Sequence, residues 1–151
     1  MSIKNSNNIK YLTSDLIVPV RFSETDAMGV IWHGNYLKFF EDAREIFGKE
    51  HGMEYLDFYN NGFYTPIVQS NIDYKSPVYY GESINVKIKL SFNNAAKLIF
   101  QYEILNLKTN VLAASGHTVQ VFISKNERKL ILYKPKFYED WENNVNWIIE
   151  K

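Results

Sequence analysis

The strongest constraint on the fold is a series of short alternating runs between residues 64 and 133. In the clearest of them, from 84 to 90, every second residue is Ile, Val or Leu, and the residues between are Asn or Lys. This alternation is typical of strands with one buried face. The turns between the runs are too short for parallel crossovers, so the strands are predicted to be antiparallel. The predicted strands are 16–22, 64–75, 83–92, 97–106, 111–124 and 129–133.

One long helix is predicted from Asn35 to about Glu50, ahead of most of the strands. Its apolar residues recur with a helical period, and Gly52 follows as a stop signal. A helix of this length can cover one face of the sheet. The predicted fold class is therefore α+β, an antiparallel sheet of five to six strands wrapped around one long central helix. The tail from Pro135 to Trp147 is predicted to add a short helix.

Length and charge restrict the domain organisation and the partners. A chain of 151 residues fits one domain, and we expect a flexible segment over residues 1–14 followed by a single domain over 15–151. Lys+Arg and Asp+Glu balance at 17 each, so no nucleic-acid partner is expected. The sequence has no Cys, and no run resembles a signal peptide or a membrane span. We expect a cytoplasmic protein without stable membrane insertion.

Two apolar residues, Ile99 and Phe122, lie out of phase with the alternation of their strands. They are predicted to point toward the sheet face that the long helix does not cover. Scattered apolar residues are common on protein surfaces, and these two could belong to that class. Contact between subunits is favoured, because bare sheet faces and edges are usually paired or covered. We therefore expect a homodimer or homotetramer.

The segment from Arg21 to Tyr36 carries the candidate chemistry. It sets Asp26 on a loop containing Gly29, directly before the helix, and places His33 and Gly34 near the helix start. Backbone amides at a helix start lack intrahelical partners and favour negative charge. The amides near His33 and Gly34 could stabilise the oxyanion formed from an acyl thioester carbonyl. Asp26 could attack that carbonyl or act as a general base for water.

Asp26 and His33 could instead have purely structural roles. Asp26 could be a turn or capping aspartate, and His33 could be a packing histidine at the helix end. Glu24 is expected to be a solvated charge at the strand end. The sequence has no serine-hydrolase elbow, phosphate loop, nucleotide fingerprint or zinc-binding helix. Its three His residues lack ligand spacing, so we expect neither a metal nor a cofactor.

The run from Val20 to Arg44 resembles the signature of hotdog-fold thioesterases of the 4-hydroxybenzoyl-CoA thioesterase family. That pattern is an aspartate, a glycine, a Tyr or His seven residues after the aspartate, and then Asn-Tyr. The matching residues here are Asp26, Gly29, His33, Asn35 and Tyr36. The similarity continues from Gly62 to Glu82 and, more loosely, from Ala113 to Ile123, so that it covers about residues 16–140.

The resemblance implies a hotdog fold, dimers that often pair into tetramers, and hydrolysis of an acyl thioester. In that family the aspartate matching Asp26 is the nucleophile or base, and the amide at the position of His33 polarises the carbonyl. In the branch that has His at this position, which includes thioesterases associated with the Tol-Pal system, the His side chain is also required for activity. Candidate substrate-binding residues are Gly29, Trp32, Tyr36, Tyr74, Lys75 and Lys97, the last three for coenzyme A. Trp32, directly before the His, is bulkier than the Tyr or Phe that the family usually has at that position.

The implied substrate is an acyl or aroyl thioester of coenzyme A, which is part of the substrate and not a cofactor. An acyl-carrier protein thioesterase and a non-catalytic module that binds acyl-CoA or a carrier protein are the alternatives. A hotdog hydratase or dehydratase is disfavoured, because nothing near His51 supplies the His and carboxylate pattern that it needs. The sequence does not name the acyl group.

Overall fold

A computed structural model describes residues 8–151. Within them an eight-stranded antiparallel sheet has the order β2-β6-β5-β4-β1-β8, with β3 and β7 also paired to β6. The strands are β1 Ile9–Pro19, β2 Phe63–Tyr64, β3 Ile67–Tyr74, β4 Ser83–Ser91, β5 Lys97–Asn106, β6 Val111–Ser124, β7 Leu130–Ile131 and β8 Ile148–Glu150. The helices are α1 Asn35–His51, α2 Tyr55–Asn60 and α3 Lys136–Asn144.

Helix α1 packs against the sheet through its apolar stripe, as predicted. Phe39 and Phe40 are fully buried, and the Phe40 ring stacks on Tyr102 of β5 with 4.2 Å between ring centroids. Gly116 of β6 pairs with Tyr102, and a Cβ on Gly116 would overlap both the Phe40 ring and the Asn71 carbonyl oxygen of β3. The close approach of helix and sheet therefore depends on a residue without a side chain.

The predicted α+β class is confirmed, but several boundaries differ. The sheet has eight strands where five to six were predicted, because three pairings are only two or three residues long. The predicted strand 64–75 is interrupted at Pro66, and the register on β6 shifts just beyond it, between Ile67 and Gln69. The flexible segment predicted over 1–14 is wrong from Ile9 onward, because β1 pairs there with β4 and β8. Residues 1–7 lie outside the described residues.

Phe122 lies on the sheet face that α1 and the two short helices cover, and not on the opposite face. Phe122 was predicted to face outward, but it is fully buried and its ring packs beside Phe58 of α2 and Tyr138 of α3. The prediction was wrong because the residues of β6 that face α1 are Gly116, Thr118, Gln120 and Phe122, so the alternation of Val119, Val121 and Ile123 marks the opposite face. Ile99 is half-buried.

Helix α3 is fixed to the rest of the domain by a buried ion pair. Lys134 Nζ lies 2.9 Å from Glu142 Oε1, and both side chains are less than a tenth exposed. The same ammonium group donates to the Asn93 carbonyl in the β4–β5 turn and lies 4.3 Å above the Phe92 ring. Burial raises the pKa of Glu142, and Lys134 opposes this shift. The tail helix is thereby tied to the sheet end.

Strand β3 pairs with β6 on one side only, and its other edge has no partner within residues 8–151. Seven of its eight residues are exposed, among them Ile67, Val68 and Tyr74. No helix of the described part of the chain is long and apolar enough to cross a membrane.

Candidate active site

The loop between β1 and α1 folds back on itself as a small hairpin that carries Asp26. Thr25 bridges to Ile31, and the Asp26 N–H donates to the Val30 carbonyl at 2.9 Å. The tip turns at Gly29, whose φ of 77° lies in the left-handed region, and whose N–H donates to the Asp26 carbonyl. Gly29, a predicted substrate-binding residue, thus shapes the turn beside the carboxylate.

The Asp26 side chain is half-buried and partly engaged. Its Oδ1 accepts a hydrogen bond from the Met28 N–H at 2.8 Å, which is the local turn geometry that the sequence left open as an alternative. Within residues 8–151, nothing donates to Oδ2. One carboxylate oxygen is therefore held in place while the other is free to act on a ligand.

Two backbone amides at the start of α1 are without acceptors. The Asn35 N–H donates to the Trp32 carbonyl at 2.9 Å, and the Tyr36 N–H to the His33 carbonyl at 3.4 Å. In the described part of the chain the N–H groups of His33 and Gly34 donate to nothing, and both residues are exposed. These are the two amides that the sequence singled out, and the helix dipole adds positive potential at this end.

Tyr74, at the end of β3, reaches the same helix start. Its hydroxyl donates to the His33 carbonyl at 3.1 Å, and its ring packs edge-on against Tyr36 at 5.2 Å between centroids. Tyr36, predicted to bind substrate, is only 4% exposed, and burial together with Tyr74 raises the pKa of its phenol. The side chain of Tyr36 therefore belongs to the core beneath the site and not to a surface that a substrate reaches.

Glu24 is not the solvated charge that was expected. It is 4% exposed, and its Oε1 accepts from the Arg21 N–H at 2.8 Å, while its Oε2 is buried without a partner among residues 8–151. Its carbonyl accepts two further bonds, from the Trp32 N–H at 2.9 Å and from Asn35 Nδ2 at 2.8 Å. The prediction failed because the chain turns inward after β1 in a 3-10 turn at Phe22–Glu24.

Of the remaining predicted residues, Trp32 and Lys75 lie near the helix start and Lys97 does not. Trp32 is 49% exposed, lies 5.2 Å from the His33 ring, and contacts Gly34 so closely that a Cβ there would overlap the indole. Lys75 is exposed directly after Tyr74. Lys97 pairs with Val121, seven positions along β6 from the residue opposite Tyr74, which is roughly 23 Å at strand spacing. One chain does not bring Lys97 to the helix start.

A cavity of about 350 Å³ lies farther along α1, between that helix, α2, α3 and the adjoining ends of β4 and β5. Its walls include Phe47, Phe58, Phe100 and Trp141, and its rim includes Asp42, whose pKa burial raises. Asp26, His33 and Gly34 do not line it, so within one chain the cavity is separate from the helix start. Residues 8–151 contain no cluster of three or more His, Cys, Asp or Glu that could hold a metal.

Comparison with known proteins identifies the family. The model of the thioesterase-like superfamily matches residues 20–140. The chain belongs to the thioesterase-like superfamily. A Bacillus subtilis protein, provisionally named acyl-CoA thioesterase YneP, is 34% identical over 126 residues, covering 82% of this chain and 88% of the relative.

One solved structure supports this membership in the thioesterase-like superfamily, and a second supports the fold. A DHNA-CoA thioesterase from Staphylococcus aureus has a TM-score of 0.75 at 32% identity, covering 87% of this chain and 89% of the other. A 1,4-dihydroxy-2-naphthoyl-CoA thioesterase from Synechocystis has a TM-score of 0.77 at 22% identity, covering 88% and 97%, and shows the fold alone.

Membership confirms the predicted hotdog fold and a thioester hydrolase. The narrower assignment to the 4-hydroxybenzoyl-CoA branch, and to its variant with His, stays a prediction.

Two parts of the site were missed by the sequence reasoning. One is Glu24, whose carbonyl oxygen accepts hydrogen bonds from Trp32 and Asn35, the residues on either side of the two free amides. The other is the contact of Tyr74 with the His33 carbonyl, because Tyr74 was predicted to bind coenzyme A. Asn35 was predicted only as part of the family signature, and its position next to Gly34 in the sequence was the signal that could have indicated its contact with Glu24.

Proposed function

We propose that this chain hydrolyses acyl-CoA thioesters in the cytoplasm, with Asp26 and the amides of His33 and Gly34 as the reacting site. The observation that carries the proposal is the pair of unengaged amides at the start of α1, on the segment that follows the Asp26 hairpin. The names of the B. subtilis and S. aureus relatives, an acyl-CoA and a DHNA-CoA thioesterase, support coenzyme A as the thiol.

The amides act on the charge that develops during the reaction. When a nucleophile adds to a thioester carbonyl, its oxygen becomes negative and accepts from the His33 and Gly34 N–H groups. One well-aimed donor stabilises such a transition state by about 3 to 4 kcal/mol. The positive end of the α1 dipole adds to this effect.

Asp26 supplies the other half of the reaction. In one route a carboxylate oxygen attacks the carbonyl carbon, coenzyme A leaves as the thiolate, and water then hydrolyses the mixed anhydride. In the other route the carboxylate takes a proton from water, and the resulting hydroxide attacks. The free Oδ2 suits either role, while the bond from Met28 to Oδ1 limits rotation of the group. The exposed His33 imidazole could donate to the substrate carbonyl.

The side chains around the amides favour an aromatic acyl group over a fatty chain. Trp32 and Tyr74 are both about half exposed and flank His33, so flat rings are available for stacking. Several relatives are named 1,4-dihydroxy-2-naphthoyl-CoA hydrolase, among them one from Thermosynechococcus vestitus that is 30% identical over 88 residues. We therefore place benzoyl and naphthoyl thioesters ahead of aliphatic ones.

A panel of thioesters tests the activity and the acyl preference together. Thiol release is followed with benzoyl-, naphthoyl-, hexanoyl- and palmitoyl-CoA. It is also followed with an acyl-carrier protein that carries the acyl group of the preferred CoA thioester. We expect turnover of the CoA thioesters, with kcat/KM at least tenfold higher for the aromatic ones. Tight binding without turnover would support the non-catalytic module, and preference for the carrier protein would reassign the thiol.

We further propose a homodimer formed along the free edge of β3. An unpaired strand of eight residues with exposed Ile67 and Val68 is the kind of edge that proteins pair or protect. This edge replaces Phe122 as the reason for predicting an oligomer, because Phe122 is covered within the chain.

Analytical ultracentrifugation should give about twice the chain mass of 17.8 kDa at micromolar concentration. Val68→Lys places a charge on that edge and should lower the sedimenting mass toward that of one chain. Val111→Lys is the matched control, because Val111 is similarly exposed on β6 and should leave the dimer intact. A wild-type monomer would contradict the proposal.

A further inference from the structure

The peptide between His33 and Gly34 is held from the side opposite to its free amide. The Tyr74 hydroxyl donates to the His33 carbonyl oxygen at 3.1 Å, and this oxygen belongs to the same planar unit as the Gly34 N–H. Fixing the oxygen of a planar peptide also fixes the direction of its N–H. A hydrogen bond to the carbonyl further polarises the peptide, which makes the N–H a better donor.

The residues on either side of the two free amides are tied to a single atom. The Trp32 N–H and Asn35 Nδ2 both donate to the Glu24 carbonyl, at 2.9 and 2.8 Å. The segment with the free donors is therefore fastened at both ends to the hairpin that carries Asp26 two residues after Glu24. These bonds fix the position of the free amides relative to the Asp26 hairpin, and hydrolysis at this site would require the carboxylate and the amides to be held in such a fixed arrangement.

We propose that Tyr74 and Asn35 are positioning residues that aim the Gly34 amide at the reacting carbonyl oxygen. The inference rests on the proposed function and adds two residues to it. Neither residue needs to touch the substrate. Tyr74 acts through the His33 carbonyl from β3, and Asn35 acts through the Glu24 carbonyl from the first turn of α1.

The two roles considered for the Tyr74 hydroxyl have different kinetic consequences. If this hydroxyl contacts coenzyme A, removing it weakens ground-state binding and raises KM. If it aims the Gly34 amide, removing it weakens an interaction that forms fully only in the transition state, so kcat falls and KM is unchanged. Steady-state kinetics therefore separate them.

Tyr74→Phe removes one hydroxyl and leaves the ring packed against Tyr36. We expect kcat to fall about tenfold, with KM within twofold of wild type. Tyr55→Phe is the matched control, because Tyr55 is 52% exposed against 54% for Tyr74, and its hydroxyl bonds to none of residues 8–151. The control should retain wild-type kcat and KM.

Asn35→Ala removes the second fastening without adding a charge. Ala is a better helix former than Asn, so the helix loses little stability while the bond to Glu24 is lost. We expect kcat to fall about tenfold and the melting temperature to change by less than about 3 °C. Asn61→Ala removes the same kind of bond, from Asn61 Nδ2 to the Asp57 carbonyl at the end of α2, and should leave kcat unchanged.

A measurement without substrate keeps this inference separable from the proposed function. The amide resonance of Gly34 in a ¹H–¹⁵N spectrum should move in Tyr74→Phe and in Asn35→Ala, and stay in place in both controls. Movement together with lower kcat supports positioning. Unchanged kcat, raised KM alone, or an unmoved resonance overturns it. Wild-type protein inactive on every thioester refutes the proposed function, whatever the spectra show.

Discussion

Asp26→Asn should lower kcat for the preferred acyl-CoA by about three orders of magnitude. Asn has the shape of Asp, and its side-chain oxygen can still accept from the Met28 N–H, so the hairpin is expected to keep its fold. What the amide cannot do is attack the thioester or take a proton from water. The measurement is thiol release at saturating substrate, with the melting temperature measured in parallel.

Asp57→Asn is the matched control for this substitution. Asp57 also accepts from a local backbone amide, that of Glu54, but it lies on α2 away from the helix start. It should retain wild-type activity. An Asp26→Asn protein with more than a third of wild-type kcat would remove Asp26 from the mechanism.

Isotope labelling tests the covalent route for Asp26. A single turnover in ¹⁸O-labelled water, followed by mass spectrometry of the peptide that contains residue 26, reports which atom attacked. Attack by the carboxylate leaves label in the Asp26 side chain when water opens the anhydride at that carbonyl. Activation of water by the carboxylate places all the label in the acid product, as does opening of the anhydride at the acyl carbonyl, so label in Asp26 is the outcome that identifies the covalent route.

Lys134→Met should lower the free energy of unfolding by about 3 to 5 kcal/mol, because it leaves Glu142 buried without its cation. The expected fall in melting temperature is about 10 °C. The loss should depend on pH. Burial already raises the pKa of Glu142, and removing Lys134 raises it further. The deficit is therefore small below pH 4, where the carboxyl is protonated in both states, and grows as pH rises through the folded-state pKa.

Lys136→Met is the matched control, at the first residue of α3. Lys136 pairs with Asp140 at 2.9 Å, but this pair is exposed and its loss should not change the melting temperature measurably. Replacing both partners of the buried pair, Lys134→Met with Glu142→Leu, should recover most of the loss, because no unpaired charge remains. A fully stable Lys134→Met protein would show that the pair does not hold α3.

The sequence predicted the elements whose signals are periodic and long. The 17 residues of α1 and the alternating residues of β4 follow directly from spacing, and Gly52 ends the helix in a left-handed conformation with φ of 74°. Helix α2 was missed because six residues are too few for a helical period to stand out. Strand β1 begins earlier than predicted because Ile9, Lys10 and Tyr11 pair with β8 at the far end of the chain, a contact that sequence spacing does not show.

The part of the site that could be predicted is the part whose residues are close together in the sequence. The order of Asp26, Gly29 and the helix start is local, so spacing was enough to suggest a carboxylate beside free amides. Burial of Glu24 and the bond from Tyr74 to His33 depend on contacts that sequence spacing does not show, the second across 41 residues. The prediction that Lys97 lies at the site was wrong for the same reason, because its distance from Tyr74 depends on the register of the strands.

The placement of the three Trp residues gives the molecule an intrinsic optical signal. Trp32 is half exposed beside the imidazole of His33, whereas Trp141 of α3 and Trp147 after it are partly buried beside each other. Light emitted by the first indole is sensitive to solvent and to the neighbouring ring, and the other two report on a different region. Ligand titrations can therefore be followed by fluorescence without attaching a dye, with a Trp32→Phe protein as the control that lacks the indole beside His33.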